Sequence, residues 1–344
     1  MDDPVPAPGL IWPGEWAPRD GTLLAWPPAE AGTWRGANPL LALFDALIAQ
    51  LRAVEPVYLL VPPDQASAIE KRLGGSDESL HLLPLPLNEF WLRDSAPIFA
   101  LDHSGQPLAV APRFNGWGQR FPHELDQLLP TLLSRRLGLP LHRLELCTEG
   151  GALESNGDGL ILTTRSALLA TNRCNPDLAV VEQRLREVFS LRRLIWLDEG
   201  LAGDHTDGHI DNLARFTRPT QLVALSPGLP RQHPNQDRLQ KNWQRLDALV
   251  ADEPGLELVG LPTLDLMLQG RPVPASYANF YLAPGLVLLP TFGHNADNEA
   301  RSILADLMPE RRVICLDCRA LINQGGGLHC LAQPLRLPSR GTNQ

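Results

Sequence analysis

The sequence lacks any apolar stretch of the roughly 18 residues that a membrane helix needs, and its most apolar segments are interrupted by proline, glycine or charge within about ten residues. Basic residues are also few, since 30 Lys plus Arg stand against 39 Asp plus Glu and leave a net charge of -9 at pH 7. An acidic chain repels phosphate backbones and anionic lipids and attracts cations. The composition therefore disfavours membrane and nucleic-acid partners and favours a cationic ligand.

Cysteine is scarce as well, and its count of five is odd. A chain of 344 residues can bury a core large enough to be stable without disulfides, so we expect reduced thiols. The first residues, Met1-Asp2-Asp3-Pro4, do not show the basic start and apolar run of a secretory signal. These features predict a cytoplasmic protein in which a cysteine is free to act chemically.

Long bundled helices are disfavoured by 33 Pro and 28 Gly, whereas 44% hydrophobic and 20% charged residues are typical of a globular chain. Short apolar or β-branched runs bounded by proline and glycine predict buried strands. These runs are 22–26, 56–61, 159–164, 194–197, 286–290 and 312–316. Amphipathic segments between them predict helices over 39–53 and from near Asp64, His123, Pro176, Gln236 and Ala296.

The last five predicted helices begin about 53 to 60 residues apart, which suggests five similar strand-and-helix units. An ordinary open α/β sheet with even connections is the alternative. No linker or low-complexity tract divides the chain, so we expect one catalytic domain over 1–344, with loose ends at about 1–12 and 337–344.

The stretch Gly325-Gly326-Gly327-Leu328-His329-Cys330 is the strongest chemical signal. Three consecutive glycines place backbone where no side chain fits, and backbone N–H groups beside the next thiol lower its pKa. Cys330 is therefore a candidate nucleophile, and a buried cysteine at the start of a strand is the structural alternative. The pair Cys315 and Cys318 has redox spacing but no second pair, so we interpret both as core thiols.

A second stretch, residues 204–212, is dense in acids and imidazoles. His205, His209 and Asp211 have spacing that could bind a metal, which raises the hypothesis of a metal-dependent hydrolase. The residues after Gly208 instead suggest a strand, on which His209 and Asp211 point the same way and suit proton transfer beside a bound cation.

Two further motifs are weak when taken alone. Trp91-Leu92-Arg93-Asp94 is typical of a surface ion pair, and the acidic, glycine-rich run from Glu149 to Gly159 is typical of a hairpin turn.

Taken in order, these motifs resemble the agmatine deiminase branch of the guanidine-modifying, or pentein, superfamily, which includes the bacterial peptidylarginine deiminases. The resemblance extends over most of the chain. It is carried by Trp91-x-Arg-Asp, Phe114-Asn-Gly-Trp-Gly, Glu149-Gly-Gly, Thr206-Asp-Gly-His-Ile-Asp-Asn and Gly325-Gly-Gly-Leu-His-Cys. It implies an α/β fold, a five-bladed propeller of ββαβ units with pseudo-fivefold symmetry, and the 60-residue spacing suits that fold.

The resemblance also implies residue roles. Cys330 would be the nucleophile and His209 the acid and base, with Glu149 orienting the imidazole. Asp94 and Asp211 would grip the guanidinium and Trp91 would form a wall of the pocket. General chemistry agrees, because two carboxylates can bind the planar fork of N–H donors and the cation favours a neighbouring thiolate.

The implied reaction is hydrolysis of a C–N bond in a linear amidine. The Cys330 thiolate adds to the guanidinium carbon, His209 protonates departing ammonia, and His209 then activates the water that releases an N-carbamoyl product. No metal or organic cofactor is expected. With agmatine the product is N-carbamoylputrescine, on the way to putrescine.

The sequence departs from the family pattern where His205 stands in place of a carboxylate that often holds the substrate's amine tail. Asp204 lies one residue earlier and becomes the candidate for that role. Ala96 also replaces a common glycine. Nearby acids, including Asp207 and Glu154, favour agmatine over arginine, whose carboxylate would need a cation.

The rival activity is a deiminase of free or peptidyl arginine, which would keep the same core residues. The missing export signal weighs against an extracellular peptide substrate. A propeller used only for binding would be expected to lose Cys330 or His209, and both are present. The oligomeric state is left open.

Overall fold

The computed structural model describes residues 9–27, 38–268 and 270–338. Strands and helices alternate along the chain. The strands are β1 (Gly21–Ala25), β2 (Val57–Val61), β3 (Leu80–Pro84), β4 (Ile98–Leu101), β5 (Pro107–Arg113), β6 (Leu141–Cys147), β7 (Leu153–Ser155), β8 (Leu160–Thr164), β9 (Arg193–Leu197), β10 (Ala214–Arg218), β11 (Gln221–Leu225), β12 (Glu257–Leu261), β13 (Met267–Leu268), β14 (Arg271–Pro272), β15 (Tyr281–Ala283), β16 (Leu286–Thr291), β17 (Arg312–Asp317) and β18 (Gln333–Leu335).

The helices connect these strands or follow them. They are α1 (Pro39–Arg52), α2 (Ala66–Arg72), α3 (Leu92–Ser95), α4 (Gly116–Gln119), α5 (Leu129–Leu137), α6 (Arg165–Leu168), α7 (Leu178–Val188), α8 (Gln236–Asp252), α9 (Asp297–Leu307), α10 (Arg319–Ile322) and α11 (Leu328–Leu331). Short 3-10 turns lie at Asp126–Leu128, Gly150–Ala152, Thr171–Arg173 and Ile210–Asn212.

Within the described residues, these strands form five sheets of three or four strands and one two-stranded hairpin, β13-β14. Four sheets share one plan, in which an antiparallel pair is followed by a helix and a third, parallel strand; they are β4-β5-β6, β7-β8-β9, β10-β11-β12 and β15-β16-β17. The remaining sheet, β18-β1-β2-β3, joins both ends of the chain, because β18 pairs antiparallel with β1 and β1 pairs parallel with β2. The fold is therefore α/β and built from repeated ββαβ units.

The predicted elements correspond closely to these. The six predicted strands become β1, β2, β8, β9, β16 and β17, each shifted by no more than a few residues. Helix α8 begins at Gln236 as predicted, and α2, α7 and α9 begin one or two residues after the predicted positions. The helix expected near His123 begins later, with the 3-10 turn Asp126–Leu128 leading into α5.

Helix α1 shows why these segments fold as predicted. The Asn38 side chain accepts hydrogen bonds from the first-turn N–H groups and Pro39 occupies the first turn, where its missing N–H costs nothing. Its buried residues recur three and four apart, so one face packs on the sheet. These are Leu40, Leu43, Phe44, Leu47, Ile48 and Leu51.

Two local expectations are wrong. Residues 210–216 do not form one strand, because His209 precedes the 3-10 turn Ile210–Asn212 and β10 begins only at Ala214. The N-terminal loose end is shorter than expected, since Leu10 and Ile11 donate backbone hydrogen bonds to Val188 and Leu101. Residues 1–8 and 339–344 of the predicted ends lie outside the described residues.

No helix in the described part of the chain combines the length and apolar character needed to span a bilayer.

Candidate active site

The connections between successive sheets bring the chemically active side chains together. Each of five connections contributes at least one residue to a buried cluster: Asp94 before β4, Glu149 before β7, His209 and Asp211 before β10, Asn279 before β15, and Cys330 before β18. Loops at one end of such units are the usual place for catalytic groups held by a rigid scaffold. The cluster depends on the whole chain, since its members are separated by up to 236 positions.

Cys330 lies in the short helix α11, not at the start of a strand as the structural alternative supposed. Its Sγ contacts the Gly327 N–H at 3.5 Å, the Asn279 side chain at 3.5 Å and Asp211 Oδ2 at 3.8 Å. The thiol is thus surrounded by polar groups from three different connections.

The protonation of this thiol differs from what the glycines alone suggested. Burial raises the pKa of Cys330 well above its usual value, and the Asp211 and Asp94 carboxylates raise it further. The Gly327 N–H and Asn279 lower it without offsetting those effects. The backbone N–H thus lowers the pKa of the thiol as expected, but burial and the two carboxylates outweigh it. A cation beside the thiol is therefore needed to favour the thiolate.

The three glycines before Cys330 are required by their neighbours. Gly325 has φ of +102°, a conformation that side chains rarely adopt. A Cβ on Gly326 would stand 2.5 Å from the Trp91 ring, and one on Gly327 would overlap the Asn279 side chain. The prediction that no side chain fits at these positions is confirmed, and Trp91 lies against the glycine turn as a buried ring stacked on Phe90.

Both carboxylate oxygens of Asp94 accept hydrogen bonds that hold the side chain in place. Its Oδ1 accepts a hydrogen bond from the Gly151 N–H at 2.9 Å, and its Oδ2 accepts one from Trp117 Nε1 at 2.9 Å. Burial raises the pKa of Asp94 to about 6, with smaller contributions from neighbouring carboxylates.

His209 lies between carboxylates. Its ring nitrogens are 3.7 Å from Asp94 Oδ1 and 3.5 Å from Glu149 Oε2. Burial lowers the pKa of His209, but Asp94, Glu149 and Asp211 outweigh that effect and raise it to about 9. The imidazole is therefore protonated at neutral pH, as an acid for a leaving group must be.

Glu149 is itself anchored from behind. Arg173 Nε lies 2.9 Å from its Oε1, with both side chains buried. Burial raises the pKa of Glu149, but His209 and Arg173 reverse this and hold it below its usual value. Glu149 is thus charged and correctly placed to hold an imidazolium.

Asp211 accepts a hydrogen bond from His329 Nδ1 at 2.7 Å through Oδ2. Its Oδ1 is buried and has no hydrogen-bond partner among the described residues. Burial raises the pKa of Asp211, but His329 and His209 outweigh it and keep the group ionised.

Gly151 marks the narrow space that these groups surround. A Cβ placed there would stand 2.7 Å from Asp94 Oδ1, 2.7 Å from His209 Nδ1 and 3.0 Å from Asp211 Oδ2. Two carboxylates, an imidazolium and a thiol thus converge within reach of one small planar group, which is the chemistry of covalent attack on a cationic carbon.

Comparison with known proteins identifies the family. The family model of the Porphyromonas-type peptidyl-arginine deiminases matches residues 11–335. The chain belongs to this family. It is 31% identical to an agmatine deiminase of Ectopseudomonas mendocina (strain ymp), with 96% of this chain and 97% of the relative covered. An agmatine deiminase of Pseudomonas aeruginosa (strain LESB58) is 30% identical over 99% of this chain and 100% of its own.

A solved structure agrees with the sequence relatives. An agmatine deiminase of C. jejuni with substrate bound superposes with a TM-score of 0.86 at 26% identity, covering 96% of this chain and 97% of that one. The resemblance to the agmatine deiminase and peptidylarginine deiminase family is thus confirmed.

The residues that would bind the far end of the substrate, opposite the guanidinium, have to be sought in this chain's own structure. Asp204 accepts hydrogen bonds from the Thr206 N–H at 2.9 Å, from Thr206 Oγ1 at 2.6 Å and from Asn212 at 3.3 Å. His205 lies beside Gly325, Trp117 and Phe121. A tail-binding role for Asp204 stays a prediction.

Two acids that the sequence suggested would favour agmatine are paired with arginines. Asp207 pairs with Arg120 at 2.7 Å and with Arg173 at 3.0 Å, and Glu154 pairs with Arg215 at 2.8 Å in the interior. Asp207 and Glu154 are therefore neutralised by these arginines, so they do not support a preference for agmatine over arginine. Sequence reasoning missed the partners because all three ion pairs join residues distant in sequence.

The metal hypothesis receives no support from the side-chain arrangement. Among residues 9–27, 38–268 and 270–338, no three or more His, Cys, Asp or Glu side chains are grouped so as to hold a metal ion. His205 packs against aromatic rings, whereas His209 and Asp211 face the cluster. Cys315 is exposed and Cys318 is buried, both with free thiols, so only Cys318 is a core thiol as interpreted.

Several residues at the deiminase site carried no recognised role in the sequence. Trp117 lies in a family motif that was noted only for its resemblance, and it holds Asp94. Arg93 is buried and pairs with Glu15 at 2.5 Å, not with Asp94 at the surface. Glu15 lies in a proline-rich segment that gave no chemical signal at all.

Proposed function

We propose that this protein is an agmatine deiminase, which hydrolyses agmatine to N-carbamoylputrescine and ammonia. The observation that carries the proposal is the placement of Cys330 beside Asp211, with Asp94, His209 and Glu149 around the same space. The names and full-length coverage of the relatives support the same substrate.

Binding is the first step of the proposed mechanism. Asp94 and Asp211 receive the N–H groups of the guanidinium, and the planar fork fixes the central carbon facing Cys330 Sγ. The bound cation offsets the effect of the two carboxylates on the thiol and favours its ionisation. The substrate thus activates its own nucleophile.

Chemistry follows in two halves. The Cys330 thiolate adds to the guanidinium carbon, and the tetrahedral adduct collapses as His209 gives its proton to the departing ammonia. The product of this half is an S-alkylthiouronium on Cys330. His209, now neutral, takes a proton from water, which adds to the same carbon and releases the N-carbamoyl product and the thiol. Glu149 stabilises the imidazolium in both halves.

The charged groups near His205 favour a substrate without a carboxylate. The cation beside His205 is Arg120, which already donates to the His205 carbonyl and to Asp207. Both terminal nitrogens of Arg120 therefore already donate a hydrogen bond, and an arginine carboxylate would have to compete for them. Agmatine carries no such carboxylate, and Asp204 Oδ2, which accepts from Asn212 at 3.3 Å, keeps lone pairs that can attract its ammonium.

The remaining proposals concern the whole molecule. The five repeated sheets, joined by connections that meet at one cluster, support a five-bladed α/β propeller with pseudo-fivefold symmetry. The spread of site residues along the sequence supports one catalytic domain over 1–344. We further propose that the enzyme is cytoplasmic and serves putrescine and polyamine biosynthesis, with a small cationic guanidine as its partner.

The test is a colorimetric assay of ureido product with agmatine, free arginine and an arginine peptide in parallel. We expect kcat/KM for agmatine to exceed that for arginine by about tenfold or more. Cys330→Ala serves as the matched control and should give no product with any substrate. Comparable rates with arginine or its peptide would instead establish the rival arginine deiminase.

A further inference from the structure

His329 bridges two acids beneath the site. Its Nδ1 lies 2.7 Å from Asp211 Oδ2, and its Nε2 lies 3.0 Å from Glu15 Oε2. The side chain is buried. An ionised carboxylate oxygen only accepts hydrogen bonds, so the ring nitrogen that faces Asp211 Oδ2 donates to it.

Glu15, the far end of this bridge, is fixed from several directions. Its Oε2 accepts from Arg93 at 2.5 Å, its Oε1 accepts from the Leu282 N–H at 2.8 Å, and Arg215 lies 2.9 Å from Oε1. All three charged groups are buried. A carboxylate held this firmly gives His329 a rigid support.

The backbone of His329 is also held by hydrogen bonds, which restricts the position of the ring beside Asp211. Its N–H donates to Asn279 Oδ1 at 2.9 Å, and its carbonyl accepts from Arg93 Nε at 3.4 Å. The imidazole thus lies between Glu15 and Asp211, on a backbone that Asn279 and Arg93 hold in place.

We propose that His329 is a positioning residue, which holds Asp211 by Oδ2 against the support of Glu15 and so turns Oδ1 toward the guanidinium. This inference rests on the proposed function, because it concerns how Asp211 meets that cation. The buried Oδ1 has no partner within the described part of the chain, which leaves it available to a substrate N–H. Without the Nδ1–H donor, Asp211 could rotate and lose that orientation.

Two amide substitutions at His329 distinguish a role in positioning Asp211 from a role in core packing alone. In His329→Asn the amide nitrogen can occupy the place of Nδ1 and still donate to Asp211, while in His329→Gln it can occupy the place of Nε2 and donate only to Glu15. Both variants remove the imidazole. A purely structural residue would respond to them alike.

We expect His329→Gln to raise KM for agmatine by about ten- to a hundredfold, the usual effect of losing a hydrogen bond to a charged group. His329→Asn should stay within about fivefold of the wild type. The fall in kcat should be smaller than the rise in KM, since Asp211 binds the cation in both ground and transition states. Equal KM values for the two variants, or a higher value for His329→Asn, would overturn the proposal.

A control variant measures the cost of losing a buried hydrogen bond elsewhere. Ser134 Oγ in α5 donates to the Leu139 carbonyl at 2.6 Å, and the side chain is buried. Ser134→Ala should lower Tm while leaving KM unchanged. A rise in KM in Ser134→Ala that equalled that of His329→Gln would show that KM reports stability alone and would contradict the positioning role.

The same variants, combined with Cys330→Ala, allow binding of guanidinium ion to be measured by calorimetry without turnover. Weaker binding in His329→Gln than in His329→Asn supports the inference even if the wild type fails to hydrolyse agmatine, in which case only the proposed function is wrong. Turnover of agmatine by the wild type with equal binding by the two variants leaves the function intact and refutes the inference.

Discussion

Asp94 and His209 carry opposite charges over a defined range of pH. The pKa of Asp94 is raised to about 6 by burial, and that of His209 is raised to about 9 because surrounding carboxylates outweigh its burial. Between these values the carboxylate can hold a cation while the imidazolium can donate a proton. The reaction proposed here requires both forms at once.

We therefore expect a bell-shaped dependence of kcat/KM on pH. Activity should fall as the pH drops through about 6, because Asp94 gains a proton, and should fall as the pH rises through about 9, because His209 loses one. Steady-state kinetics from pH 5 to 10 measures both limbs. A profile that stays flat across pH 6 would contradict the assignment of Asp94.

Asp94→Asn tests both limbs in one variant. Removing one partner of a buried charged pair costs about 2–5 kcal/mol, so kcat/KM should fall roughly 30-fold to several thousand-fold. The alkaline limb should also move to lower pH, since the Asp94 carboxylate raises the pKa of His209. Normal kcat/KM in this variant would remove Asp94 from the site.

Cys330 makes a separate prediction about reactivity. Burial and two carboxylates raise the pKa of its thiol, so a neutral haloacetamide should alkylate it slowly at pH 7. The rate of each reagent is divided by the rate at which the same reagent alkylates free cysteine. By this measure a cationic haloamidine should react faster than the neutral reagent, because its positive charge offsets the two carboxylates. Mass spectrometry should place the adduct on Cys330; equal normalised rates would contradict activation by a cation.

At the level of single residues, the sequence singled out the members of the buried cluster better than the residues that hold them in place. Cys330, His209, Glu149, Asp94 and Asp211 all lie in or beside short motifs whose residue types suggest chemistry. Glu15 and Arg173 do not, because their effect comes from ion pairs across 78 and 24 positions. Only the folded chain reveals such pairs.

At the level of elements, the glycines of the connections determine how closely the site can pack. Gly151 lies in the 3-10 turn Gly150–Ala152, where its N–H donates to Asp94. Its missing side chain leaves room for Asp94, His209 and Asp211. This turn therefore both binds and spaces the three groups.

Gly151→Ala should lower kcat/KM by two or more orders of magnitude, about 3 kcal/mol, because the added methyl displaces Asp94 or His209 from their present positions. The matched control is Gly228→Ala, since a Cβ there meets nothing within 4 Å. Circular dichroism should show that both variants keep the fold. Activity near that of the wild type in Gly151→Ala would mean that the site has more space than the structure indicates.

The sequence predicted strands and helices correctly where one face of the element is apolar. The predictions failed where the buried residues are polar. The predicted strand over 210–216 fails because Asp211 and Asn212 are buried for their contacts with His329 and Asn279 and not as part of a sheet. Helix α11 was missed because Leu328–Leu331 is too short to show a period. Periodicity detects a packed face and does not detect a turn that serves the site.

At the level of the whole molecule, both ends of the chain complete one sheet. Gly21, Thr22 and Leu23 of β1 pair with Leu335, Pro334 and Gln333 of β18. Cys330 lies only three residues before β18, so this pairing fixes the connection that carries the thiol. The N-terminal segment adds Glu15 beneath the same cluster, where it contacts His329 and Arg93, so we expect activity to depend on closure of the fold.

A chain ending at Ala332 tests this dependence, because it keeps Cys330 and removes β18. The matched control ends at Pro338 and keeps both β18 and the hydrogen bond from the Leu337 N–H to Asp20. We expect the shorter chain to lose activity and to unfold at a lower temperature, since β1 loses its antiparallel partner and Leu335 leaves the core. The control should retain both properties. Full activity in the chain ending at Ala332 would show that α11 is held in place without the closing strand. The contact of Cys330 with Asn279 and the hydrogen bonds of His329 with Asp211 and Glu15 would then be enough to position the thiol.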